Sequence, residues 1–172
     1  TFDFVHPKGR INELVLPMPG EHNLNNAIAA ISASLIAGAP TDHLREILRS
    51  FKGIQRRFEY KINTEACVYI DDYAHHPAEL RATISAVRAS YPGKIITGIF
   101  QPHLFTRTRD FADEFAHSLD LLDVTYLLDI YPAREEPIPG IDSQWLLDKL
   151  QNTHKKLVTK TQLLADLKAN RP

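Results

Sequence analysis

Asp71-Asp72-Tyr73-Ala74-His75-His76-Pro77 gathers two carboxylates, a phenol and two imidazoles in one short stretch. Groups of these types exchange protons, hold cations or read polar ligands. A second stretch, Gln101-Pro102-His103-Leu104-Phe105-Thr106-Arg107-Thr108-Arg109, sets an imidazole four residues before a guanidinium. Such a guanidinium grips a small carboxylate by a bidentate pair, worth about 1.5–3 kcal/mol when shielded from water. A third stretch, Tyr131-Pro132-Ala133-Arg134-Glu135-Glu136-Pro137, adds further charge. A metal centre is the competing reading of Asp71, Asp72, His75, His76 and His103, but their spacing fits no zinc signature. Nucleophilic catalysis has little support: there is no Gly-x-Ser-x-Gly elbow, and Cys67, the single cysteine, lies in an apolar run as core filler.

Each stretch follows an apolar run and precedes a helical pattern. Cys67-Val68-Tyr69-Ile70 reads as a buried strand ending at the first cluster. Strands are expected over residues 58–63, 67–72, 94–100 and 124–130, with a weak one near 155–159. Helices are expected over 77–91 (Leu80, Ile84, Val87, Tyr91), 106–122 (Phe111, Phe115, Leu119, Leu122), 142–151 and 161–169. The runs at 95–100 and 124–128 are almost wholly apolar, as parallel strands covered on both faces are. The alternation predicts a Rossmann-like three-layer α/β domain with a mostly parallel sheet over residues 54–172. Ligands of such sheets bind at the carboxyl ends of the strands, where the three polar loops converge. Helix amino ends at 77 and near 106 favour an anion there. They also favour neutral imidazoles at His75 and His76, suited to hydrogen bonding or to accepting a proton from an ammonium group.

Residues 1–53 read differently. A hairpin over 1–18 turns at Pro7-Lys8-Gly9, and Pro19-Gly20 ends it. A helix over 23–37 carries Leu24, Ile28, Ile31 and Leu35, with Asn23 as its expected N-cap; Asn26 sits one turn later. Asparagines spaced in this way read a base edge or ribose, or simply cap. A second helix runs from Thr41-Asp42 to Phe51. One hairpin and two helices are too little for a core of their own, so this segment reads as the tail of a larger domain.

The 172 residues carry a net charge of −1 with interspersed signs, which gives no basic footprint for nucleic acid or membrane. No apolar run approaches the roughly 20 residues of a membrane span, and the cytoplasm is the expected compartment. The phosphate-loop motif is absent. Thr1 stands where an initiator would, within strand-like sequence, so the chain is expected to be a fragment.

Four motifs occur here in one order. They are Pro19-Gly20-Glu21-His22-Asn23-Leu24-Asn25-Asn26-Ala27, Arg56-Arg57-Phe58-Glu59, the 71–77 cluster, and Gln101-Pro102-His103 with Thr106-Arg107-Thr108. In this the chain resembles the Mur ligases, the ATP-dependent amide ligases of peptidoglycan precursor synthesis. It is most similar to the branch that joins L-alanine to UDP-N-acetylmuramate. The tripeptide-adding recycling branch is the alternative, and a non-catalytic amino-acid or nucleotide-binding module is a third reading.

The resemblance implies the end of a central ATPase domain (residues 1–53) followed by a carboxyl-terminal ligase domain that stops short. It implies ATP and Mg2+, held mainly by segments absent from this chain, and an isolated piece that is inactive. Asn23 and Asn26 resemble adenine contacts, Arg57 an interdomain arginine near the phosphates, and Asp72 the ribose-binding acid. Tyr73, His75, His103 and Arg107 resemble the pocket for the incoming alanine and the end of the nucleotide sugar. There Arg107 would hold the alanine carboxylate, and His75 or His103 would contact the ammonium side. Leu104 stands where many alanine-adding members carry arginine, and Arg134 is the expected substitute.

Overall fold

The computed structural model describes residues 1–7 and 9–169; Lys8, in the expected turn, lies outside them. The chain forms two compact units, Thr1–Thr64 with Val68–Tyr73, and Glu65–Cys67 with the chain from Ala74 onward. The strands over 59–71 group with the first unit.

In the first unit, β1 (Phe2–His6) and β2 (Gly9–Leu14) form an antiparallel hairpin with an irregular register between Phe2 and Phe4. The carboxylate of Asp3 accepts the amide of Glu13, the residue with positive φ at this irregularity, and pairs with Arg10. Phe4 and Leu14 bury against Ile31 of α1 (Glu21–Ile36), with Leu44 and Leu48 of α2 (Leu44–Ser50) packed around them. Two expectations are corrected here. Gly20, at φ 101°, caps α1 in place of Asn23, because the chain turns there through the left-handed region that glycine alone enters cheaply. Asn23 lies buried in the first turn, where its Nδ2 donates to the Pro19 carbonyl at 2.7 Å. The helix buries Asn23, Ala27 and Ile31, and leaves Ile28 exposed. The second correction is that α2 starts at Leu44, after His43, without a side-chain cap from Thr41 or Asp42.

β3 (Glu59–Asn63) and β4 (Val68–Asp71) pair antiparallel, Glu59 opposite Asp71 and Asn63 opposite Val68. The strand expected to be buried in a parallel sheet is therefore one arm of a hairpin, and Tyr69 is 49% exposed. The four residues between the strands close a local antiparallel pair, which needs no crossover.

The second unit holds the parallel sheet: β5 (Thr97–Phe100), β6 (Val124–Leu127) and β7 (Lys155–Leu157), in that spatial order. β5 starts three residues later than expected. Residues 94–96 are held by side chains together with backbone bonds: Arg88 donates to the Lys94 carbonyl and to Asp123, whose Oδ2 accepts the Ile96 amide at 2.7 Å, while the Ile96 carbonyl accepts the amides of Asp123 and Val124. Phe100 and Leu127 face one core with Ile84 of α3 (Pro77–Ser90), Phe115 and Leu119 of α5 (Ala112–Leu119), and Leu146 and Leu147 of α6 (Ser143–Lys149). Ile99, on the other face of β5, is 44% exposed, so the expected cover on both faces is not complete here. The helix expected over 106–122 breaks at Phe111 (φ −120°, ψ 24°) into α4 (Phe105–Asp110) and α5, and the Phe111 ring meets His76 at 4.8 Å. α7 (Lys160–Ala169) closes the described chain, buries Leu163 and pairs Asp166 with Lys156.

Two substitutions test this packing. A Cβ at Gly98 would collide with Leu122, itself packed in the core. Gly98→Ala should lower the stability of the chain by about 1–3 kcal/mol in chemical denaturation. Thr125, wholly buried at the centre of the sheet, has no hydrogen-bond partner for its hydroxyl among the described residues. Thr125→Val should raise stability by about 1 kcal/mol in the same assay, because an unpaired buried hydroxyl is costly.

Candidate functional site

The β5–β6 ladder does not stop at the strand ends. Leu128 N donates to Phe100 O, Tyr131 N to Pro102 O, and Leu104 N to Tyr131 O, at 2.8–2.9 Å. Gln101 Nε2 adds a bond to the Asp129 carbonyl. The loops after β5 and β6 are thereby zipped side by side, and the rings of His103 and Tyr131 stack with centroids 5.5 Å apart. Leu104, at φ 74°, turns the chain into α4, one turn of which presents Arg107. Thr108, fully buried, returns its hydroxyl to the Leu104 carbonyl and pins that turn.

The start of α3 is built from the first cluster. His76 is the N-cap, Pro77 the first helical residue, and Glu79 completes a reciprocal capping box. One Glu79 oxygen accepts the amides of both His75 and His76 and lies 3.3 Å from His75 Nδ1. His76 is thus committed to the helix start, while Glu79 orients His75.

Arg107, His75 and Glu135 each lie within electrostatic reach of His103. Burial, then the charges of Arg107 and His75, hold the His103 pKa below its ordinary value against the opposing pull of Glu135. At neutral pH His103 is a neutral imidazole beside a fixed cation. The half-buried Arg107 guanidinium has no hydrogen bond or ion pair among the described residues. Arg134 is exposed on the turn from Pro132 to Glu135. The structure therefore brings His75, His103 and Arg107 together, with Arg134 on the same loop as Glu135.

The remaining expected residues belong to the first unit. Asp72 accepts the Phe58 amide at 2.8 Å. Arg56 and Arg57 hold their guanidinium groups 4.8 and 5.5 Å from the Tyr73 ring centroid, and the Tyr73 amide donates to the Arg56 carbonyl. Arg56 and Phe58 both adopt positive φ, held there by Glu59, Asp72 and Tyr73. Asn26 is exposed and Asn23 is buried. Among the described residues, no three or more His, Cys, Asp or Glu side chains gather so as to hold a metal ion.

Residues 56–170 match the family model of the Mur ligase, glutamate ligase domain. The chain belongs to the Mur ligase family. A UDP-N-acetylmuramate–L-alanine ligase of Flavobacterium johnsoniae is 52% identical over 99% of this chain, which spans 38% of that relative. The crystal structure of a UDP-N-acetylmuramate–alanine ligase from Thermotoga maritima is 28% identical, with a TM-score of 0.73 over 92% of this chain and 34% of its own. A murein peptide ligase from Psychrobacter arcticus shares the fold at 22% identity and a TM-score of 0.60, over 90% of this chain and 32% of its own. The Mur ligase match spans Arg57, Asp72, Tyr73, His75, His103, Arg107 and Arg134, while Asn23 and Asn26 precede it.

Sequence reasoning passed over Glu79, and it named Tyr131 and Glu135 only as members of the third polar loop, without a role. Glu79 had a readable signal, a glutamate at the third helical position behind Pro77. The roles of Tyr131 and Glu135 had none, since their partners lie about 28 residues away. The electrostatics give a direct test. In NMR titration of this chain, His103 should titrate below the ordinary value of 6.5, and Arg107→Ala should move it back upward. By linkage, the depressed value costs stability as pH falls below 6.5 toward the folded-state value, and Arg107→Ala should shrink that acid-side loss.

Proposed function

We propose that this chain is the carboxyl-terminal part of an ATP-dependent ligase that joins L-alanine to UDP-N-acetylmuramate. The half-buried Arg107 guanidinium, unpaired among the described residues and beside a neutral His103, carries the reading. An isolated, partly desolvated cation is costly unless an anion completes it. The substrate of this class carries a small carboxylate, which the planar guanidinium fork fits. His75, oriented by Glu79, and His103 then meet the ammonium end, and a neutral imidazole can accept the proton that an attacking amine must lose. Tyr73 and Arg134 are proposed to take part in substrate binding, Arg134 as an outer cation.

Asn26, Arg57 and Asp72 are proposed to meet ATP, with Asn23 setting the start of α1. ATP, when bound, supplies the phosphoryl group that turns a carboxylate into an acyl phosphate. Mg2+ is proposed to accompany the nucleotide, held mainly by segments outside this chain. The relatives at about 52% identity favour alanine over a peptide as the second substrate. Likeness to the murein peptide ligase speaks to the fold alone.

In the intact ligase, Arg107→Ala should raise KM for L-alanine at least tenfold, as loss of a charged pair of about 1.5–3 kcal/mol requires. The exposed Arg134 should give a smaller rise when replaced by alanine. Steady-state kinetics with alanine as the varied substrate checks both. An unchanged KM in Arg107→Ala would contradict the assignment.

A further inference from the structure

α4 is a six-residue helix with leucine at its N-cap and no side-chain cap of its own. So short a segment does not hold helical geometry unaided. Its missing cap arrives from another loop. Glu135, 29 residues away, accepts the Thr106 amide at 3.0 Å and the Thr106 hydroxyl on its other oxygen. These bonds and the nearby Arg107 charge keep the Glu135 carboxyl below the usual range, with the Thr106 hydroxyl the largest cause. Glu135 is itself held by the turn in which its amide donates to the Pro132 carbonyl at 3.0 Å and Ala133 adopts positive φ.

We infer that Glu135 is a positioning residue of the carboxylate pocket: by capping α4 from the neighbouring loop it fixes where Arg107 and His103 stand, and it balances their charge without pairing with either. This deepens the proposed alanine-ligase reading and rests on it. Glu135 is close enough to Arg107 to act on it electrostatically, yet no ion pair joins the two. A direct pair would consume the cation the substrate needs. By spending its oxygens on Thr106, Glu135 leaves the guanidinium open and still tempers its field. The groups that face His103 are Arg107 on α4, His75 before α3, and Glu135 with Tyr131 on the loop after β6.

The test compares Glu135→Gln, which keeps a capping oxygen but removes the charge, with Glu135→Ala, which removes both. In NMR titration of this chain, Glu135→Gln should lower the His103 pKa further, because the lost carboxylate opposed that depression. In the intact ligase, Glu135→Gln should raise KM for L-alanine about threefold to fivefold, more than it lowers kcat, and Glu135→Ala should raise it further. A purely local cap would leave the His103 titration and KM unmoved in Glu135→Gln, and that result overturns the inference even if Glu135→Ala fails to fold. Arg107→Ala, measured alongside, separates the two levels. If it raises KM while Glu135→Gln does not, the positioning role alone is wrong. If it leaves KM unchanged, the carboxylate-pocket reading is wrong and this inference falls with it.

Discussion

Three backbone hydrogen bonds, from Leu128, Tyr131 and Leu104, carry the parallel pairing of β5 and β6 beyond the strands and into the loops. The second unit's candidate site depends on them. Loop backbone at the end of a parallel sheet normally disperses into solvent, and side chains on it wander. Here the two loops share one ladder, so His103 is held flat on Tyr131 and the entry to α4 is fixed by Leu104. The left-handed conformation of Leu104 is a local cost that the surrounding bonds sustain, as is usual where geometry serves a ligand.

Carboxylates do the remaining work from behind. Glu79 takes up both amides ahead of α3 and orients His75, and Glu135 caps α4. Each acidic group bonds helix-start donors, and the Arg107 guanidinium has no partner among the described residues. Asp72 and Glu59 play the same part in the first unit, bonding the amides of Phe58 and Arg56 in a connector where both residues hold positive φ. The Arg56 and Arg57 guanidinium groups lie against Tyr73, a contact that screens an aromatic face with cations.

Much of this was legible in the chain. The polar loops after apolar runs marked the strand ends, and the buried residues Ile84, Phe115, Leu119 and Leu146 followed helical spacing. What was hidden depended on partners distant in sequence. Whether residues 67–72 joined a parallel sheet or folded back on residues 58–63 could not be read from apolar content, which serves both. The break at Phe111 reflects a ring placed against His76, a contact across two helices. Asn23 had the composition of an N-cap, but Gly20, three residues earlier, supplied the φ that the turn required. The capping of α4 was unreadable because the local N-cap residue is leucine and the real cap comes from the next strand's loop.

If Arg107, unpaired among the described residues, receives a substrate carboxylate, its side-chain resonance must report the encounter. The most direct measurement follows the Arg107 Nε–H resonance in the intact ligase, saturated with the UDP-sugar and a non-hydrolysable ATP analogue. L-alanine and L-alaninamide are then added in turn. A saturable shift is expected with alanine and none with the amide, which lacks the carboxylate. Equal shifts with both, or none with alanine, would contradict that role for Arg107.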